Sequence, residues 1–130
     1  MMKKIVVLLL LVVSTNVMAE WTAVGSVDNL TVYVDFGTIK RKGNKVKMWH
    51  LFDFKTVKIL PDSNTKYLSL VSRNEYDCEE ETSVALDMYW YSENMRGGEV
   101  VYSSTTKDDA ISILPGSINE TFYKAACRKK

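Results

Sequence analysis

The sequence lacks most of the residues on which enzymes rely for their chemistry. Its 130 residues include one histidine, His50, and two cysteines, Cys78 and Cys127. There is no Cys-x-x-Cys motif for thiol exchange and no Gly-x-Ser-x-Gly motif to present a nucleophilic serine. With one histidine and no spare thiol, a zinc site would have to be completed by carboxylates, which is an unusual ligand set. The sequence therefore predicts a protein without enzymatic activity, metal or cofactor.

A hydrophobic run long enough to cross a membrane is also lacking. The apolar run at residues 5–13 follows two lysines and is shorter than the about 20 residues of a membrane-spanning helix. With the small residue Ala19, it supplies the three parts of a secretory signal peptide at residues 1–19, cleaved before Glu20. No cysteine near this site could take up a lipid anchor. We expect a periplasmic or secreted product with no stable membrane insertion.

The remaining segment, residues 20–130, has no excess of charge of either sign. The whole chain has 17 lysines and arginines against 16 aspartates and glutamates, and the signal peptide takes away two lysines and no acid. The resulting net charge of −1 gives no electrostatic footprint for nucleic acid or for an anionic bilayer. Glycine and proline are few, and no repeat or low-complexity tract divides the segment. Its length is that of a single domain.

The two cysteines are the only partners available to each other. An exported chain enters an oxidising compartment, where such a pair forms a disulfide. A bond between Cys78 and Cys127 would close a loop of about 50 residues and stabilise the fold by about 4 kcal/mol in the chain-entropy model. It would also fasten the end of the chain to its middle.

Alternation of apolar and polar side chains predicts a series of strands. They are expected at residues 21–27, 30–36, 45–54, 65–74, 82–91 and 99–104. Because short turns join consecutive strands, the sheet should be antiparallel with about six strands. Residues 55–64 and 93–98 are expected to be a loop and a turn, since they carry Pro61 and the Gly97-Gly98 pair.

The end of the chain has a strong helix pattern. Ser117 and Glu120 have the spacing of a capping box. One broad arc of the helix is apolar and consists of Ile118, Phe122, Tyr123, Ala125, Ala126 and Cys127. A helix of about 12 residues is marginal alone in water, so it should pack on the sheet. The predicted fold class is α+β, with the C-terminal helix on one face of the sheet and tied there by the disulfide.

Four aromatic side chains are the candidate binding residues. Tyr33, Trp49, Tyr89 and Tyr91 fall on strand faces opposite the clearest apolar rows. If they are exposed away from the helix, they form a patch suited to binding proteins or a flat ligand. If loops cover them, they are ordinary core. Both readings stay open, because a register slip of one residue exchanges the two faces of a strand.

Two polar features are expected to be structural. His50 lies among Met48, Phe52 and Phe54, which predicts a packed, hydrogen-bonded core histidine. The acidic run at residues 79–81 lacks the glycine and the even ligand spacing of a calcium loop. It is expected to be a solvated strand end.

Short motifs follow one another in a characteristic order along the chain. They are Trp21 after the signal, Tyr33-Val34-Asp35, Val46 with Met48-Trp49, Tyr67 with Ser69, Tyr76-Asp77-Cys78, Met95 with Gly97-Gly98, Pro115-Gly116-Ser117, and Cys127. In this order they resemble the bacterial surface-adhesin protein E family. The resemblance implies an antiparallel sheet with a C-terminal helix disulfide-bonded across one face. The adhesin that names the family is a lipoprotein at the cell surface, whereas this chain lacks a lipidation cysteine, so periplasmic residence is expected.

The expected function is that of an exported, non-enzymatic binding protein of the bacterial envelope, acting in protein–protein binding or adhesion. Its partner would be a host or envelope protein, and self-association into a homodimer is a further candidate. The alternatives are an inhibitor of an exported enzyme, a carrier of a small planar ligand and a purely structural dimer. A carrier needs a cavity lined by the aromatic residues, whereas an adhesin or inhibitor needs a flat patch or a protruding loop.

Overall fold

Strands follow one another across the sheet in chain order. The computed structural model describes residues 20–128, so the predicted signal peptide at residues 1–19 lies outside the described part. The strands are β1 (Thr22–Val27), β2 (Leu30–Lys42), β3 (Lys45–Ile59), β4 (Lys66–Asp77), β5 (Thr82–Glu93), β6 (Gly97–Ser104) and β7 (Ile111–Ser112). Every pair is antiparallel in the order β1-β2-β3-β4-β5-β6, and β7 pairs with the beginning of β5. The predicted fold class is confirmed.

The predicted loop at residues 55–64 is wrong in its first half. Strand β3 continues to Ile59, and Lys58 pairs with Tyr67 of β4 after a register shift. The reversal itself is confined to the next six residues, where the Leu60 N–H donates to the Thr65 carbonyl at 2.8 Å. β-Branched side chains at Thr56, Val57 and Ile59 favour the extended conformation there, although all three are exposed.

The turn predicted at residues 93–98 contains a short 3₁₀ turn, Asn94–Arg96. Strand β6 begins directly after it, at Gly97, two residues earlier than predicted. Gly98 has a positive φ of 72°, a conformation that glycine adopts without steric cost.

The core lies between the sheet and a C-terminal helix, α1 (Ile118–Cys127). Inward side chains of β2, β3 and β4 and the centre of the helix are almost fully enclosed. These buried apolar residues are Val32, Val34, Val46, Met48, Tyr76, Phe122 and Ala126. Phe122 is 1% exposed and marks the middle of the contact. The apolar arc read from the sequence is therefore the face that packs.

The beginning and the end of α1 are both fixed. The Ser117 hydroxyl accepts a hydrogen bond from the Glu120 N–H at 3.1 Å, as the capping box predicts. The Glu120 carboxylate accepts from the Gly116 N–H at 2.9 Å, because the Ser117 N–H already donates to the Leu114 carbonyl. At the other end, the predicted disulfide joins Cys78 to Cys127 across 49 positions of sequence. It attaches the last turn of the helix to the end of β4.

His50 is packed as predicted, but the predicted hydrogen bond is absent. The side chain is 3% exposed, and its ring stacks on Phe122 with 3.9 Å between centroids. Neither ring nitrogen has a hydrogen-bond partner among the described residues. The neighbouring Ser72 hydroxyl donates to the Asn74 side-chain oxygen instead. Burial lowers the pKa of His50 to about 3, and the nearby Asn74 side chain offsets this shift only in part.

The acidic run at residues 79–81 lies in the exposed turn between β4 and β5. The Asp77 carboxylate accepts hydrogen bonds from the Glu79 and Glu80 N–H groups, each at 3.0 Å. The three glutamates are thus placed on the surface by the fold of the turn, which agrees with a solvated strand end.

Candidate functional site

All four candidate aromatic side chains lie on the face of the sheet opposite α1. Residues that pair across neighbouring strands share a face, and Tyr33 is connected in this way through Leu51 and Val71 to Tyr89. Tyr91 lies two residues after Tyr89 and pairs with Ser69, so it is on the same face. Trp49 pairs with Asp35, which lies two residues after Tyr33, and is on this face as well. The residues between them, such as Val34 and Met48, pack against the helix. The register therefore brings the predicted set together on one surface.

The four side chains are neither core nor free in solvent. Each side chain is partly exposed, so it matches neither the fully exposed patch nor the buried core that the sequence left open. The rings of Trp49 and Tyr89 stack with 6.3 Å between centroids and 27° between planes. Arg73 lies 5.9 Å from the centroid of the Trp49 ring, and its Nε donates to the Asp87 carboxylate at 2.6 Å. The Trp49 ring is thus in contact with the Tyr89 ring and with the Arg73 guanidinium, which is paired with Asp87.

Three of the four residues line a groove with a volume of about 450 Å³. Trp49, Tyr89 and Tyr91 form its aromatic lining, whereas Tyr33 lies on the same face outside it. Further lining residues lie toward the two edges of this face. They are Trp21, Asp35 and Thr38 near β1 and β2, and Arg96 and Val100 near β6. Three of the four candidate aromatic residues thus line a half-open groove, and Tyr33 lies outside it on the same face of the sheet.

Sequence reasoning missed Trp21 and Arg96 as groove residues. Trp21 precedes β1, so its alternation could not be followed back through a strand. Arg96 belongs to the 3₁₀ turn, where contacts distant in sequence decide its position. For Asp35 the sequence does hold a signal, because its alternation puts Asp35 on the same face of the strand as Tyr33, and the structure pairs it with Trp49.

The turn that carries Arg96 is held by two polar side chains of the sheet. The Asp53 carboxylate accepts from the Met95 N–H at 2.8 Å and from the Asn94 side-chain amide at 3.0 Å. Ser69, which is fully buried, accepts from the Arg96 N–H at 3.0 Å and donates to the Glu93 carbonyl at 2.6 Å. Met95 and Arg96 both have positive φ, which costs energy in a residue other than glycine. These hydrogen bonds offset that cost.

Arg96 provides the positive charge beside the aromatic lining. Its Nε donates to the Tyr91 hydroxyl at 3.2 Å, and its guanidinium lies 5.9 Å from the centroid of the Tyr91 ring. The side chain is exposed, so its remaining N–H donors face solvent. The groove can accordingly stack apolar or aromatic groups and can pair with an acidic group at Arg96.

Within residues 20–128, no group of three or more histidine, cysteine, aspartate or glutamate side chains could hold a metal ion. The one histidine, His50, is buried on the helix side of the sheet, away from the groove. No helix in the described part of the chain is long and apolar enough to cross a membrane.

Comparison with known proteins identifies the family. The family described as surface-adhesin protein E matches residues 21–128. No curated protein matches the chain. The fold is similar to that of Haemophilus influenzae protein E in crystal form II, with a TM-score of 0.63, 14% identity, and coverage of 88% of this chain and 91% of that chain. Protein E from non-typeable Haemophilus influenzae gives a TM-score of 0.56, 15% identity, and coverage of 87% and 80%. Because the family model matches residues 21–128 and the fold agrees, the chain belongs to the surface-adhesin protein E family.

Proposed function

We propose that the protein is an exported, non-enzymatic binding protein of the bacterial envelope that binds a protein partner through the aromatic face. The main observation behind this proposal is that Trp49, Tyr89 and Tyr91 line one groove on the face of the sheet that α1 leaves uncovered. Family membership supports an adhesin-like role. The periplasmic or secreted location rests on the signal peptide read from residues 1–19.

The composition of the groove favours a protein partner. Tryptophan, tyrosine and arginine are the residues that most often carry the binding energy of protein interfaces. Here Trp49, Tyr89 and Arg96 are already held by ring stacking and by the contacts of the 3₁₀ turn. A surface that is fixed before binding loses little conformational entropy when the partner arrives. A side chain of the partner would enter the groove, with an acidic group beside Arg96.

A carrier of a small planar ligand is the second candidate. The groove volume of about 450 Å³ lies within the range of about 300–1,000 Å³ for small-molecule sites. A carrier requires a cavity lined by the aromatic residues, and three of the four candidates line this groove. Partner capture separates the two candidates.

The double substitution Tyr89→Ala/Tyr91→Ala is expected to weaken partner capture. Immobilised parent and variant are exposed to envelope extract and to host matrix proteins, and the retained proteins are identified and titrated. Loss of two interface aromatics should cost about 2 kcal/mol of binding, or roughly a thirtyfold rise in Kd. Tyr102→Ala is the matched control, because Tyr102 is 53% exposed and lies on the other face of the sheet beside Trp90.

Equal capture by the parent and the double variant would reject the aromatic face as the binding surface. Capture of no protein, together with a chromophore or lipid retained in the purified parent, would replace the protein-binding proposal with the carrier. If the parent retains only further copies of itself, the partner is a second copy of the chain.

A further inference from the structure

Asp35 is a nearly buried carboxylate with no cation partner among residues 20–128. It is 8% exposed and sits in β2 where the pairing with β3 becomes irregular. One oxygen accepts from the Gly37 N–H at 3.0 Å, and the other accepts from the Glu20 backbone nitrogen at 3.3 Å. The ion pairs found within residues 20–128 join Arg73 to Asp87 and Lys124 to Glu120, so none involves Asp35. Burying an unpaired charge is costly, which calls for a positive partner.

The nitrogen beside Asp35 is the one that removal of the signal peptide would set free. Cleavage is expected between Ala19 and Glu20. Water adds across this peptide bond, leaving a carboxylate on Ala19 and an α-amino group on Glu20. That group is protonated at neutral pH, because its ordinary pKa is about 7.7–8.0. The neutral amide donor of the precursor thus becomes an ammonium with three N–H donors.

We propose that Asp35 is the receptor for the α-ammonium of Glu20, and that the ion pair formed on cleavage anchors Trp21 in the wall of the binding groove. Trp21 is the next residue along the chain, and both Trp21 and Asp35 line the groove. Thr22 then begins β1 opposite Val34, the neighbour of Asp35. Strand β1 is at the edge of the sheet and is largely exposed, so an anchor at its start has a strong effect on the position of Trp21. Signal removal is thereby linked to completion of the groove.

The reactivity of the α-amino group tests this proposal. Mature protein is purified, its N-terminal residue is determined by mass spectrometry, and acylation of the α-amine is followed at neutral pH. We expect the parent to react about tenfold more slowly than Asp35→Asn, which corresponds to a pKa higher by about one unit. Asparagine keeps an acceptor for the Gly37 N–H while removing the charge. Asp28→Asn is the control, because Asp28 lies in the exposed turn after β1 and its substitution should leave the rate unchanged.

A second variant keeps Asp35 and begins at Ala19, which moves the ammonium one residue away from the carboxylate. It should react as fast as Asp35→Asn, and it decides the matter if Asp35→Asn does not fold. Equal acylation rates in the folded parent and either variant would overturn the proposal. A mature N-terminus other than Glu20 would also overturn it.

Discussion

Replacing Phe122 with aspartate is expected to unfold the protein or to release α1 from the sheet. Phe122 is 1% exposed, stacks on His50 and meets the ring of Phe52 at 5.5 Å between centroids. Removing a buried phenylalanine side chain costs about 3–5 kcal/mol. The new carboxylate adds a burial penalty, because His50, which stacks on this position, is kept uncharged by its burial. The sum is comparable to the about 5–15 kcal/mol that stabilises a typical domain.

Thermal unfolding with the disulfide intact measures this effect. Lys124→Asp is the control on the same helix, because the Lys124 side chain is 72% exposed and lies 3.8 Å from Glu120 in an i,i+4 pair. Loss of such an exposed pair costs only a few tenths of a kcal/mol. If Phe122→Asp melts at the temperature of the parent, the helix does not dock by the face described.

Mild acid is expected to destabilise the protein through His50. Burial lowers the pKa of His50 in the folded state to about 3, below its ordinary value of 6.5. The unfolded state therefore binds the proton first as the pH falls, so stability is complete above about pH 6.5 and declines toward about pH 3. The full shift corresponds to about 5 kcal/mol, of which about 2 kcal/mol is lost between about pH 6.5 and pH 5.

His50→Leu supplies the comparison for the acid effect. His50 is the one histidine of the sequence, and carboxylates titrate mainly below about pH 5. Urea unfolding across this range should give a sloping stability for the parent and a nearly flat one for the variant. The same slope in both proteins would show that protonation of His50 does not limit stability.

Much of the fold follows from local pattern and from simple chemistry. Alternation along residues 45–54 separated Met48 and His50 from Trp49 and Leu51, and the structure places these pairs on opposite faces. Alternation thus put the aromatic set on the strand faces opposite the apolar rows, but the sequence left open whether that surface is exposed or covered. The capping serine at 117 and the pairing of the two cysteines also needed no knowledge of the tertiary structure.

The remaining features depend on contacts between distant parts of the chain. The extension of β3 to Ile59 has exposed side chains, so no burial period marked it, and the shift after Asp53 broke its alternation. Arg96 reaches the groove because Asp53 and Ser69 hold a turn that lies more than 25 residues away in sequence. The His50 ring is stacked against Phe122, which lies on the distant helix, and its nitrogens have no hydrogen-bond partner among the described residues. Local propensity carries no information about such contacts.

Oxidative footprinting of the captured complex tests the binding face most directly. Hydroxyl radicals label exposed aromatic side chains, and peptide mass spectrometry compares the labelling of the free protein with that of the bound protein. We expect Trp49, Tyr89 and Tyr91 to lose reactivity when the partner binds, while Tyr102 on the other face keeps its own. Protection of Tyr102 with unchanged labelling of the three groove residues would contradict the proposed role of the aromatic face.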